Sequence, residues 1–192
     1  MSIALISNIR SLINLSEDEA DVISQLFKKR VLQKGEFFLA DGQVCKHAGF
    51  IEKGLVRYYI NDDGEEKTYD FGQEYNFVCN YESFLPQIPS TKIIQALEDC
   101  ELWQISHADL QLFYRSIHGG ERFGRIVIEQ VFVQLLQSLT SLYTDRPEDR
   151  YQKFVTEHPD LMQRVSQYHI ASYVGVKPQS LSRIRKRIFS QK

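Results

Sequence analysis

Apolar residues near the start of the chain recur at helical spacing: Ile3, Leu5, Ile6, Ile9 and Leu12 share one side of a predicted helix over 2–13. Ser16 and Glu19 make a capping box, in which each side chain satisfies the other residue's backbone N–H, and it opens a second helix through about Lys29. From Val31 to Ile105 the texture changes. Glycines at 35, 42, 49, 54, 64 and 72 punctuate short runs of strand formers at 36–39, 49–51, 55–60, 67–71, 92–97 and 101–105. Asn61-Asp62-Asp63-Gly64 separates two runs and predicts a hairpin, because Asp-Gly tolerates the positive φ angles of a tight turn. Within 55–60, Val56, Tyr58 and Ile60 would share one face and Leu55, Arg57 and Tyr59 the other. Short strands at this spacing predict an antiparallel sandwich or jelly roll.

Helices resume near Asp109, and the one predicted over 122–143 carries two apolar stripes. Ile128, Phe132, Leu135, Leu139 and Leu142 follow the alternating four-and-three spacing of a two-stranded coiled-coil seam. Ile126, Val133, Leu136 and Tyr143 form the second stripe, and Gln130, Gln134, Gln137 and Ser141 a polar strip. A helix apolar on two sides needs two packing partners. The economical assignment gives one side to the β-domain and the other to the same helix of a second copy. Asp145-Arg146-Pro147-Glu148 then predicts a hinge, since proline starts a helix but does not sit inside one. A further helix over 148–157 ends at His158-Pro159.

The last part of the chain reads as a helix-turn-helix. Ser166 is placed to cap a first helix through Tyr173, Ala171 is small enough for a close crossing, and Gly175 supplies a left-handed turn residue. Pro178 sits at the first position of a second helix. Val174, Val176, Leu181, Ile184 and Ile188 supply the apolar contacts, which leaves Gln179, Ser180, Arg183 and Lys186 facing outward. These are side-chain types that reach bases and phosphates. Lys177 takes the N-cap position, where it costs about 1 kcal/mol against Ser or Thr, but it could meet a phosphate beside the helix start.

Charge strengthens that reading. The net charge of −2 conceals a split: residues 150–192 carry nine Lys or Arg against Glu157 and Asp160, a net of +7, and the remainder carries −9. An acidic body with a basic end suits a polyanion-binding module, because phosphate neutralisation supplies most non-specific DNA affinity. Three cysteines, Cys45, Cys79 and Cys100, are too few and too scattered for a disulfide framework, which favours a reducing cytoplasm. No continuous apolar run suggests a membrane span, and Arg10 interrupts the first apolar stretch, so neither membrane association nor a secretion signal is expected. His47, His107, His118, His158 and His169 show no paired ligand spacing, so no metal is expected. A jelly roll could also house a cupin-like enzyme. That chemistry needs clustered His and Glu ligands, and the β region offers only His47 and His107 at its opposite ends. No catalytic residue and no cofactor are assigned.

Over nearly its whole length the chain resembles the Crp/Fnr family of bacterial regulators. The matching runs are Leu32-Gln-Lys-Gly-Glu-Phe-Phe-Leu39 with Gly42, Phe50-Ile-Glu-Lys-Gly-Leu-Val-Arg-Tyr58, Asp63-Gly64, Arg150-Tyr151, His158-Pro159, Ile170-Ala-Ser-Tyr-Val-Gly175 and Leu181-Ser-Arg183. The resemblance implies an α+β protein in three parts: a cyclic-nucleotide-binding-type antiparallel β-roll with flanking helices over 1–116, a dimerisation helix over 117–145, and a helix-turn-helix over 146–192. It implies that Gln179 and Arg183 read base edges and that Ser166 and Gln167 contact the DNA backbone. Lys177, Ser180, Arg185 and Lys186 complete the expected DNA-contacting set. The implied partners are a near-palindromic duplex, a second copy through Ile128, Phe132, Leu135, Leu139 and Leu142, an unidentified small-molecule effector, and RNA polymerase. The interval from Pro159 to Ser166 is short for the family's hairpin wing, which is expected to be reduced or missing.

The sensor half departs from the family's cyclic-nucleotide members, whose arginine neutralises the cyclic phosphate and whose glutamate takes the ribose hydroxyl. Here Ser90 stands at the arginine position and Phe77 at the glutamate position. Lys92 offers a charge nearby without a bidentate fork, so ordinary cyclic AMP binding is not expected and the ligand-binding residues stay unassigned. Tyr58, Tyr59, Tyr75, Phe77 and Tyr81 would suit either a core or an aromatic ligand pocket. The competing function is a sensor or interaction module whose helix-turn-helix no longer binds DNA. Such a relic has no reason to keep Gln179, Arg183, Arg185, Lys186 and Arg187 together.

Overall fold

The N-terminal helices form where the caps place them. In the computed structural model, which describes residues 2–190, α1 (Ile3–Leu12) starts at Ser2, whose hydroxyl accepts the Leu5 N–H at 3.0 Å. Met1, Gln191 and Lys192, at the outer ends of the first and last expected segments, lie outside the described residues. The capping box of α2 (Glu17–Leu26) is complete: Glu19 N–H donates to Ser16 Oγ at 3.2 Å and Ser16 N–H to Glu19 Oε2 at 2.9 Å. The other Glu19 oxygen accepts the His118 N–H, and these backbone hydrogen bonds from Ser16 and His118 hold its carboxyl below the usual range. The helix ends at Leu26 rather than near Lys29, because Lys28 already enters β1 (Lys28–Leu32) and pairs with Gln104.

Seven further strands follow: β2 (Phe37–Leu39), β3 (His47–Lys53), β4 (Val56–Asp62), β5 (Glu65–Gly72), β6 (Phe77–Val78), β7 (Lys92–Ala96) and β8 (Cys100–Ser106). With β1 they form two four-stranded sheets, ordered β1-β8-β3-β6 and β2-β7-β4-β5. This is the antiparallel jelly-roll arrangement expected from the spacing and the β-roll implied by the resemblance. The expected alternation of β4 is not observed, because Val56, Arg57, Tyr58 and Tyr59 are all buried and both faces of the strand's first half are covered. The β4–β5 turn does follow its sequence. Asp63 and Gly64 have φ of 50° and 87°, both positive as a two-residue hairpin turn requires, and Gly64 N–H donates to Asn61 Oδ1 at 3.0 Å. A short α3 (Tyr81–Phe84) follows β6; α4 (His107–Ser116), capped by Ser106, leads to α5 (Gly120–Thr144).

By internal contact the chain divides into two compact units, Met1–Tyr58 with Phe71–Gln130, and Tyr59–Asp70 with Val131–Lys192. The core of the first lies between the sheets and under α1 and α2, where Ile9, Ile23, Phe50, Ile51, Val56, Val78, Ile94 and Leu102 are fully enclosed. The second holds the hairpin tip, the outer half of α5, and α6 (Pro147–Glu157), α7 (Leu161–Arg164), α8 (Gln167–Val174) and α9 (Pro178–Ser190). Its core is Tyr151, Phe154, Leu161, Val165, Ile170, Ala171, Val174, Leu181 and Ile184.

The break between α5 and α6 falls at Asp145–Arg146, with Pro147 opening α6. Arg150 secures this corner: its Nη1 donates to the Asp145 carbonyl at 2.7 Å and its Nε to the Val174 carbonyl at 2.8 Å. One guanidinium thus serves carbonyls at the ends of two helices, which lack intrahelical donors. Lys153 pairs with Asp145 at 2.6 Å and holds that carboxyl below its ordinary range. Among the described residues after Thr144 there is no strand, and α7 occupies the interval where a hairpin wing would stand.

Candidate nucleic-acid interface

Each turn of the α8–α9 corner has a local cause. Ser166 caps α8 by accepting the His169 N–H at 3.2 Å. At the other end Gly175 adopts φ 79°, ψ 37°, and the Val176 N–H reaches the Ala171 carbonyl at 2.9 Å while the Gly175 N–H reaches Ser172 at 3.0 Å. That paired arrangement is a Schellman motif and it reverses the chain. Pro178 opens α9, with Lys177 just before it accepting the Ser180 and Leu181 N–H groups through its carbonyl. Leu181 and Ile184 are buried against α8, whose Ala171 and Val174 are fully enclosed.

This packing leaves Lys177, Gln179, Arg183 and Lys186 exposed along one face, with Ser166 exposed at the start of α8. Ser180, Gln167 and Arg185 are only half-buried rather than fully outward, and the Arg185 Nε is enclosed. Arg187 pairs with Glu148 of α6, so its charge is partly committed within the unit. The remaining cations sit on a helix with no acidic residue in its first turn.

The seam residues on α5 are uncovered in the single chain. Phe132 is 59% exposed, Leu135 55%, Leu139 51% and Leu142 58%, with Ile128 also exposed. Val133, Leu136 and Tyr143 of the second stripe are exposed too, so the two-partner assignment leaves both stripes open over 131–144. By length and composition α5 is long and apolar enough to cross a membrane, with a mean hydropathy of 1.2 over 18 residues. This average was not evident from continuous apolar runs, because Gln130, Gln134, Gln137 and Ser141 interrupt them.

Within the second unit the hairpin tip meets α8 through one side chain. The Ser172 hydroxyl accepts the Thr68 N–H and donates to the Glu66 carbonyl, each at 2.9 Å. Nothing in the spacing of Thr68 and Ser172 along the chain signals this pairing. A cavity of about 1150 Å³ adjoins it, lined by Tyr69, Leu136, Thr140, Phe154, Tyr173 and Lys177 among others. Burial pushes the Tyr173 phenol up to about 12.

In the β-roll, the Ser90 hydroxyl is fully engaged. It accepts from Asn80 Nδ2 at 2.5 Å and from the Lys92 N–H at 2.9 Å, and donates to the Lys92 carbonyl at 2.8 Å. The Lys92 ammonium pairs with Glu82 at 2.5 Å. Phe77 packs its ring against Phe50 and Phe123, with centroids 5.4 and 5.7 Å away, and Phe113 extends the cluster. Tyr58 and Tyr59 are buried while Tyr75 is exposed, so the five aromatics do not act as one pocket lining. The three cysteines are free and buried: Cys45 Sγ donates to the His47 carbonyl at 3.3 Å, and Cys100 Sγ donates to the carbonyls of Glu98 and Leu55. Among the described residues, no group of three His, Cys, Asp or Glu is placed to hold a metal ion.

Residues 29–116 match the sequence profile of the cyclic nucleotide-binding domain. The fold is shared with solved structures over most of the chain. A CooA variant from Carboxydothermus hydrogenoformans superposes with a TM-score of 0.73 at 14% identity, over 96% of this chain and 84% of that one. A cyclic nucleotide-binding domain containing protein from Listeria monocytogenes gives 0.72 at 16% identity, over 98% and 91%. CLP, a c-di-GMP responsive global regulator of Xanthomonas campestris, gives 0.66 at 18% identity, over 92% and 93%. No curated protein matches the sequence.

Proposed function

We propose that the chain is a cytoplasmic, DNA-binding transcription regulator of the Crp/Fnr type that acts as a homodimer. The observation that carries this reading is the α8–α9 corner, where buried Leu181 and Ile184 orient an exposed face of Lys177, Gln179, Arg183 and Lys186. Arginine bidentate to guanine and glutamine bidentate to adenine are standard major-groove contacts. The likeness to a regulator of gene expression in Xanthomonas supports the same reading at the level of the fold.

The exposed seam of α5 supplies the second copy. A two-fold axis along Phe132, Leu135, Leu139 and Leu142 would bury side chains that now face solvent, each contributing roughly 1.5–3 kcal/mol on full burial. The four-and-three spacing and the polar strip favour a coiled-coil seam over a bilayer, which would surround the helix with lipid on every side. Such a dimer would present two α9 helices to successive major grooves about 34 Å apart. The effector is unidentified, and RNA polymerase is the partner that the family resemblance suggests.

Binding of the full chain to duplex DNA, followed by fluorescence anisotropy across a salt series, tests the proposal. It predicts affinity that falls steeply with salt, at about 0.9 in log–log slope per phosphate neutralised. Affinity indifferent to salt, or no binding at low salt, would contradict it.

A further inference from the structure

We propose that the cavity bounded by the β4–β5 hairpin, α5, α6 and α8 is an effector site for an organic anion with an apolar body, such as a medium-chain carboxylic acid. All of its lining residues belong to the second unit. Its volume, about 1150 Å³, is ample for a small ligand, whose pockets run roughly 300–1000 Å³. The α5 wall runs along Val133, Leu136, Gln137, Thr140 and Thr144. At 3.6 residues per turn this stripe lies on a different side of the helix from Phe132, Leu135 and Leu139. Pairing of two copies through that seam would therefore leave the cavity open.

The walls offer mainly apolar surface. Val133 and Leu136 are exposed along α5, and across from them the rings of Phe154 and Tyr173 lie 5.2 Å apart, with His158 against Phe154 at 5.5 Å. The hydroxyls that line the cavity spend their hydrogens locally. Thr140 Oγ1 donates to the Leu136 carbonyl and Thr144 Oγ1 to the Thr140 carbonyl, each at 2.9 Å, and Ser141 Oγ donates to Asp145 at 2.5 Å. Ser172 is committed to Thr68 and Glu66. A hydrocarbon or aromatic body can enter without stripping these groups of partners.

Charge selects an anion. Lys67, Arg150, Lys153 and Lys177 line the cavity against Glu65, Glu66 and Glu157, which leaves one positive charge in excess. Three of the four cations are occupied: Lys67 pairs with Asp62, Lys153 with Asp145, and Arg150 donates to the carbonyls of Asp145 and Val174. The Lys177 ammonium, exposed on the turn into α9, makes no ion pair among the described residues. It receives the ligand's anionic end, with the apolar body against Leu136, Phe154 and Tyr173. Lys177 also belongs to the face assigned to DNA, so a ligand held there competes with a phosphate and weakens DNA binding. That last step rests on the DNA-binding reading; the cavity and its ligand do not.

The test is calorimetric titration of the full chain with octanoate, without DNA, and with octanol as the uncharged counterpart. The expected result is one saturable octanoate site per chain, with octanol bound about tenfold less tightly for want of a charge-assisted hydrogen bond. Lys177→Gln should bind octanoate no better than octanol. Leu136→Trp, which fills the cavity from an exposed position, should bind neither while keeping the circular dichroism of the unmodified chain. Octanoate should also weaken DNA binding by the unmodified chain and have no such effect on Leu136→Trp. No binding of millimolar octanoate, equal binding of octanoate and octanol, or undiminished octanoate binding by Lys177→Gln or by a folded Leu136→Trp would each overturn the proposal. A chain that binds octanoate in this pattern but binds no DNA would uphold the site and overturn the function proposed above.

Discussion

The hydroxyl of Ser172, in the middle of α8, completes the backbone hydrogen bonding of the β5 edge by accepting from Thr68 and donating to Glu66, both at 2.9 Å. A helix of the α8–α9 corner thereby carries a strand-like partner for the hairpin. Replacing Ser172 with Ala removes both bonds, each contributing roughly 0.5–1.5 kcal/mol. Hydrogen exchange should then show faster exchange at Thr68 with the β-roll core unchanged. Unaltered protection at Thr68 would mean that the hydroxyl does not hold the hairpin.

Gly175 stands at φ 79°, where a side chain is strained, and Arg150 Nη2 lies 3.4 Å from where a Cβ would be. Gly175→Ala should lower stability by about 1–2 kcal/mol. Denaturant unfolding measures this, and a neutral or stabilising substitution would show that the turn is not fixed in the left-handed conformation.

Local chemistry was readable wherever it was local. The capping box at Ser16 and Glu19, the Asp63-Gly64 turn, the Ser166 cap and the Gly175–Pro178 turn all appear where the residues placed them, because each needs only neighbours in the chain. Strand β1 escaped notice because Lys28, Lys29 and Arg30 lack an apolar pattern and pair only through β8. The Ser172 bridge depends on residues far apart in sequence, which no periodicity reports. Arg57 shares its predicted face with Leu55 and Tyr59 and is buried like them, and the alternation gives no sign that both sides of β4 are covered.

A charge placed in the α5 seam should prevent association. Leu135→Glu or Leu139→Glu would bury a carboxylate against apolar neighbours of a second copy, a penalty large enough to dissociate a helix pair. Sedimentation at micromolar concentration should show a dimer for the unmodified chain and a monomer for either variant. A monomeric unmodified chain would remove the seam from the account.

Cyclic AMP should not bind in the ordinary way. The Ser90 hydroxyl is committed to Asn80 and Lys92, Lys92 is paired with Glu82, and the Phe77 ring packs edge-on and tilted within an aromatic cluster. Calorimetric titration should detect no binding at micromolar concentrations. A micromolar or tighter dissociation constant would show that this network rearranges, with Lys92→Ala the variant to measure next.

The central claim is that α9 reads DNA sequence, and Arg183 is where it is most exposed to test. Random-duplex selection on the full chain should enrich near-palindromic sites whose half-sites lie about 34 Å apart. The Arg183→Ala chain should lose roughly 1–3 kcal/mol on those sites and relax its preference at one base position in each half-site. Lys186→Ala should weaken binding on every sequence and flatten the salt dependence instead. If the unmodified and Arg183→Ala chains enrich the same sequences equally, Arg183 reads no base; if neither enriches any sequence, the chain is not a sequence-specific DNA-binding protein.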